Sequence, residues 1–196
     1  TEKTKTLVEN HTTTVTTSAA TALTNITLGK ADGFKLHSVK MATAFGTYST
    51  TNQVDITDRY TFDTGMRDAF YGLASIRLKP GQPVPTGSIR VTFDFFTHGA
   101  GDYFSVDSYS SLDYKSIPTF VSKDSGTSFD LRDCFDFRPR VDDSGTFAGA
   151  TASITELPHI GTNLSADFSF YLARTDLIYM DRLGFFKVIS GVPALN

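Results

Sequence analysis

The sequence has almost no cysteine, no tryptophan, no long apolar run and little net charge. A single thiol, Cys134, excludes an internal disulfide and has no C-x-x-C partner for a metal or redox site. It predicts a buried or half-buried thiol in a chain matured in a reducing compartment. No stretch approaches the ~18 apolar residues that a membrane-spanning helix takes, and the first residues are polar rather than signal-like, which predicts a soluble chain. The formal charge is only -3, so no broad basic surface is available for phosphate backbones and nucleic acid is excluded as a partner. G-x-S-x-G, P-loop, G-x-G-x-x-G and H-E-x-x-H patterns are all missing. The common hydrolase, nucleotide and zinc-protease chemistries therefore lack their motifs, and no cofactor is expected.

What is present is aromatic and β-branched. Seventeen Phe and eight Tyr supply large rings for a sheet-rich interior. Length allows one or two domains. Eleven Thr fall within the first twenty-seven residues, and β-branched Thr favours extended backbone, so residues 1–30 are expected as an extended arm or edge strand. Residues 31–190 are expected as the β-rich domain and 191–196 as the start of a linker. Thr1 in place of Met suggests a piece of a longer polypeptide.

Strand signals recur about every ten to fifteen residues. Phe34, Leu36, Val39 and Met41 predict a strand with an irregularity near Ser38. Val54, Ile56, Tyr60 and Phe62 keep one alternating side, Met66 to Leu73 can close a short helical turn, and residues 73–79 alternate again. The cleanest strand places Ile89, Val91, Phe93 and Phe95 on one face and Arg90, Thr92 and Asp94 on the other. Leu164 to Leu172 alternate, and Leu177–Met180 with Phe185–Ile189 predict a terminal hairpin around Asp181–Gly184. The most charged stretch, Phe129–Arg140, reads as a half-buried strand. Phe129, Leu131, Phe135 and Phe137 face inward on this reading, and Asp130, Arg132, Asp136 and Arg138 outward, between two Asp-Ser-Gly-Thr turns. Short strands with Gly and Asp turns and no long 3.6-residue period predict an all-β fold. The expected architecture is an antiparallel β-sandwich or partly open barrel with long packed loops and at most short helical turns.

Candidate chemistry is sparse. Asp94, His98 and Asp102 can be read as a base cluster or metal site, but a strand-end His bonded to a loop backbone is the plainer reading. Asp102 and Asp107 are weak Ca²⁺ candidates without the regular spacing of a calcium loop, so no metal is assigned. Asp58, Arg59, Arg67, Asp68, Asp130, Arg132, Asp133, Asp136 and Arg138 are expected as structural ion pairs. Asp133, on the apolar parity, is the acid expected to be buried, with Arg59, Arg67 or Arg140 as its partner. Tyr48, Tyr103, Tyr109 and Tyr114 on loops fit a subunit interface or a sugar-stacking surface. No catalytic residue is assigned, and the chain is expected not to be an enzyme.

Several segments in order carry a resemblance. They are Ile56–Gly65 with Arg67, Asp68 and Tyr71, Leu78–Gly81, Val91–His98, Gly101–Tyr109, Ile117-Pro118, Leu131–Pro139, Tyr171–Asp176 and Gly184–Gly191. Together they resemble large structural proteins of tailed-bacteriophage virions, of the baseplate, tail and fibre type found in T4-like and marine phages. Ala173, where that family often has Pro, and Leu183, where its turn is more polar, depart from the pattern. The resemblance implies a virion structural module, assembled in the host cytoplasm, that docks onto other virion proteins and onto copies of itself, a trimer among the arrangements. A module binding a host receptor or carbohydrate is the alternative, and a virion-associated glycan hydrolase the third reading.

Overall fold

The computed structural model describes residues 1–16, 25–43, 48, 50–147, 161, 163 and 172–194. The chain forms two compact units, Thr1–Ile160 and Gly161–Asn196.

The first unit is built on strand β7 (Ile89–His98), whose inward residues Ile89, Val91, Phe93 and Phe95 are all buried. Strand β1 (Lys5–Val15) pairs antiparallel with one side of β7, and β3 (Gly33–Ala42) with the other, with β4 (Gln53–Asp55) beyond β3. The order β1-β7-β3-β4 makes the Thr-rich β1 an edge strand. A three-stranded antiparallel sheet joins β2 (Ile26–Ala31), β6 (Leu73–Leu78) and β5 (Tyr60–Asp63). Ile26, Leu28, Tyr60, Ala74, Ile76 and Leu78 of this sheet and its flanks meet Val39, Ile89, Val91, Phe93 and Phe95 in one core. The fold is therefore all-β and sandwich-like, as alternation predicts. Burying each such Ile or Phe stabilises it by about 1.5–3 kcal/mol.

Irregularities fall where polar groups compensate for them. A bulge between Val8 and His11 puts Asn10 at φ 54°, a left-handed conformation that Asn tolerates. The Asn10 N–H leaves the ladder and donates to Asp94 Oδ1 at 2.7 Å. The expected irregularity of β3 lies between Leu36 and Ser38.

A second core of Met66, Tyr71, Phe96, Phe104, Tyr109, Ile117, Phe120 and Leu131 gathers the loops. Residues 66–73 do not form the expected helical turn. Met66 bridges Tyr71 in antiparallel fashion, and Gly72 N–H donates to Gly65 O at 2.7 Å. Gly65 at φ +85° and the close backbone of Gly72 make this a tight hairpin-like loop instead.

Phe129–Arg140 also departs from a single strand. β8 (Thr119–Val121) pairs with β9 (Ser128–Asp130), and Leu131–Asp133 then form a 3-10 turn. Phe129, expected inward, is already 43 % exposed ahead of that turn, and beyond the turn the two-residue parity no longer holds. Asp136 is 7 % exposed, and Phe135 is exposed at 45 %. Asp136 exchanges two backbone hydrogen bonds with Phe104, at 2.8 and 2.9 Å, which aims its side chain inward. Asp133, expected to be buried, is 60 % exposed at the side chain, and its cation partner is Arg132.

In the second unit β10 (Leu177–Met180) and β11 (Phe186–Ile189) form an antiparallel hairpin. Asp181 Oδ1 accepts from the Leu183 and Phe185 N–H groups, with Gly184 at φ +86°. The strand expected over 164–172 lies outside the described residues apart from Leu172. Among the described residues no helix is long and apolar enough to cross a membrane.

Candidate functional site

Three chain segments converge on a buried charged cluster. Lys5 lies on the β1 edge and pairs in register with His98 of β7. Asp32 occupies the corner between β2 and β3 at φ 57°, held there by Asp32 N–H to Gly72 O at 3.2 Å and Phe96 N–H to Asp32 O at 2.9 Å. Asp is one of the few side chains that accepts such a backbone. Lys5 Nζ and His98 Nε2 both meet Asp32 Oδ2, at 2.7 and 2.6 Å. The Lys5 and Asp32 side chains are fully buried, and Asp32 Oδ1 has no hydrogen-bond partner among the described residues.

Aromatic rings wall this cluster. The Lys5 ammonium lies 3.8 Å from the Tyr71 ring centre, 4.8 Å from Phe104, 5.1 Å from Tyr109 and 5.5 Å from Phe96, a cation–π cage. Behind Tyr71, Arg138 binds Asp136 through Nε–Oδ1 at 2.9 Å and Nη2–Oδ2 at 2.7 Å. The Tyr71 hydroxyl donates to Asp136 Oδ2 and accepts from Arg138 Nη2. Burial pulls the Lys5 pKa down against the attraction of Asp32. Burial likewise lowers that of His98 and so favours the neutral imidazole, working against the bond to Asp32, which favours the charged form. For Asp32, burial works upward, and the Lys5 charge and the His98 bond outweigh it.

The His98 grouping read from sequence does not assemble. Asp94 is buried but bonds His37 Nε2 at 2.7 Å and the bulge N–H of Asn10. The Asp102 N–H donates to Thr1 O, and Asp107 caps against Ser105 Oγ through its own N–H. No group of three His, Cys, Asp or Glu placed to hold a metal occurs among the described residues.

The expected ion-pair residues divide. Arg67 binds Asp63 with two parallel bonds, 2.8 and 3.0 Å. Burial works to raise the Asp63 pKa, but Arg67, the Gly65 N–H and Lys123 hold it down at about 2. Arg132 lies between Asp130 and Asp133, at 3.4 and 3.7 Å. Asp58, Arg59 and Asp68 have other contacts: Lys79 Nζ donates to the Asp58 carbonyl, Arg59 to Pro83 O, and the Lys123 N–H to Asp68 Oδ2.

The tyrosines divide too. Tyr109, expected on a loop surface, is 2 % exposed because it packs edge-on to Phe96 under the loop. Tyr48 is half-buried, with its hydroxyl on Gln53, and Tyr103 packs edge-on to Phe135. Tyr114 is exposed, and its ring carries the Arg132 guanidinium at 5.2 Å.

Sequence reasoning missed Lys5, Asp32 and His37 as partners. Lys5 shares parity with Leu7 and, through the β1–β7 register, with Phe96 and His98, so its apolar parity was the available signal. Asp32-Gly33 read only as a turn. In comparisons with known proteins, no protein-family model, no curated protein and no solved structure matches the chain.

Proposed function

We propose that this chain is a structural module of a tailed-phage virion, of the baseplate, tail or fibre class, and that it works by docking onto neighbouring subunits. The virion class rests on the sequence resemblance, and the observation that carries the docking part of the reading is the C-terminal hairpin. Cross-strand pairing puts Ile178 opposite Val188 and Met180 opposite Phe186, so these four side chains share one face. They are 66, 59, 63 and 78 % exposed. Leu177 and Ile189, paired on the other face, are exposed as well. A two-stranded hairpin is marginal in water by itself, and a contiguous exposed apolar patch marks an interaction surface.

A sugar-stacking surface needs open ring faces. Tyr109 is buried, Tyr48 and Tyr103 are half-buried, and only Tyr114 of the four is exposed, with Arg132 over one of its faces, so these tyrosines do not make a multi-ring stacking surface and docking is preferred over glycan binding.

The test is a density map of the intact particle together with peptide mass spectrometry of purified virions. The expected result is the chain at fixed stoichiometry, with β10–β11 buried against a neighbour. Its absence from purified virions while it is abundant in infected cells would overturn the reading.

A further inference from the structure

We infer that Lys5 and Asp32 are the two halves of an intramolecular amide cross-link, formed by condensation of the Lys5 amine with the Asp32 carboxyl group. The two groups touch at 2.7 Å with both side chains fully buried. Each sits on backbone fixed by other bonds, Lys5 in the β1–β7 ladder and Asp32 between Gly72 and Phe96. Holding two reactants in contact on rigid elements removes most of the entropic barrier to their combination.

The surroundings supply what the condensation requires. A buried ion pair is expensive to keep charged, and moving one proton along the 2.7 Å bond gives a neutral amine facing a carboxylic acid. The rings of Tyr71, Phe104, Tyr109 and Phe96 close over the pair, and with both side chains fully buried they keep water from it, which favours the amide over its hydrolysed halves. His98, largely buried and bonded through Nε2 to Oδ2, donates to the oxygen on which negative charge develops when nitrogen attacks Cγ. Asp32 Oδ1, the oxygen with no hydrogen-bond partner, is the leaving oxygen: in the tetrahedral adduct the proton first taken by Oδ2 and one proton from the attacking nitrogen both pass to Oδ1, while Oδ2 stays held by His98.

The step balances without an outside reagent. The Nζ–Cγ bond forms and the Cγ–Oδ1 bond breaks. Of the three ammonium protons, two depart with Oδ1 as water and one remains on the amide nitrogen. Neither oxidation state changes. The product removes both buried charges and leaves Oδ2 as an amide oxygen that still accepts from His98. It also ties the edge strand β1, whose one sheet neighbour among the described residues is β7, to the corner between the two sheets.

The experiment is intact mass spectrometry of the purified, folded chain after denaturation, followed by tryptic mapping. The expected mass is below the sequence mass by one water. The expected map has a branched peptide joining Thr4–Lys30, uncut at Lys5, to Ala31–Lys35. Lys5→Met, which keeps an unbranched side chain in the cage, should have its full sequence mass. His98→Phe should form the cross-link about a hundredfold more slowly, as for loss of one oxyanion donor. A folded wild-type chain at full sequence mass, with linear peptides on both sides of Lys5, overturns the inference. So does a water loss confined to the linear peptide Ala31–Lys35, which would be a cyclic imide at Asp32-Gly33.

Discussion

Arg138 holds Asp136 by two parallel hydrogen bonds, 2.9 and 2.7 Å long, and its guanidinium lies 4.3 Å from the Phe120 ring centre and 4.6 Å from that of Tyr71. A carboxylate 6 % exposed and a guanidinium 11 % exposed depend on each other. Removing one strands the other in the second core.

Asp136→Ala should therefore destabilise the first unit by about 3–5 kcal/mol. Asp133→Ala, at an exposed side chain, should change stability by no more than about 0.5 kcal/mol. Urea unfolding midpoints of the two variants measure the difference, and equal midpoints would show that the Asp136 pair contributes nothing. Tyr71→Phe, which removes a hydroxyl bonded to both partners, should fall between them, at about 1–3 kcal/mol.

The position of that pair also marks where sequence reading stops. β7 was legible because Ile89, Val91, Phe93 and Phe95 alternate without interruption over its length. The hairpin at Asp181–Gly184 was legible from its turn residues. Asp136 was not, because the 3-10 turn at Leu131–Asp133 interrupts the two-residue parity, and nothing in the alternation of Asp and Arg announces the interruption. Lys5 carried only the signal of its apolar parity with Leu7, which is not enough for lysine, almost never fully buried unless paired, and its partner lies at a distant corner between β2 and β3. Such pairings depend on which strands become neighbours, and a period-two pattern carries no information about that.

Acid should destabilise the protein in two stages. His98 has a lowered folded pKa, caused first by burial, so the unfolded chain takes up a proton near its ordinary value of about 6.5 that the folded chain refuses. Stability then declines as pH falls through that value. Asp63, held at about 2 in the folded chain, contributes fully above the unfolded value of about 3.9 and loses its contribution as pH falls toward 2. Because Asp63 is partly exposed, that contribution is screened to about 1 kcal/mol. Unfolding midpoints across pH should lose most of the upper stage in His98→Phe, the remainder belonging to His11, whose pKa is also lowered by burial, and part of the lower stage in Asp63→Asn. An unchanged upper stage in His98→Phe would assign it to another group.

Gly65 and Gly126 both have positive φ, +85° and +72°, but differ in their surroundings. A Cβ on Gly65 would lie 2.1 Å from the Gly72 carbonyl oxygen, whereas a Cβ on Gly126 meets nothing within 4 Å. Gly126→Ala should cost only the left-handed penalty, about 1–2 kcal/mol. Gly65→Ala must also push apart the loop that carries Tyr71, and should cost at least about 2 kcal/mol more, in the range of overpacking. Thermal unfolding of both variants would test this, and similar losses would mean that the 65–72 loop yields freely.

The hairpin makes the docking reading measurable without a particle. Asp181 fixes the turn through its bonds to Leu183 and Phe185, so the Ile178, Met180, Phe186 and Val188 face should persist when one of its side chains is changed. Phe186→Asp places a charge at the most exposed of the four, 78 % open, where it costs the isolated chain nothing in buried area. The urea midpoint of the first unit should therefore stay within about 0.5 kcal/mol of wild type. Apolar-dye fluorescence and concentration-dependent self-association in sedimentation velocity should both fall, because a charge at the centre of an apolar interface is desolvated without a partner. Asp181→Ala should act differently, loosening the turn while leaving the apolar side chains in place. If Phe186→Asp changes neither dye binding nor association, this face is not the surface through which the chain docks.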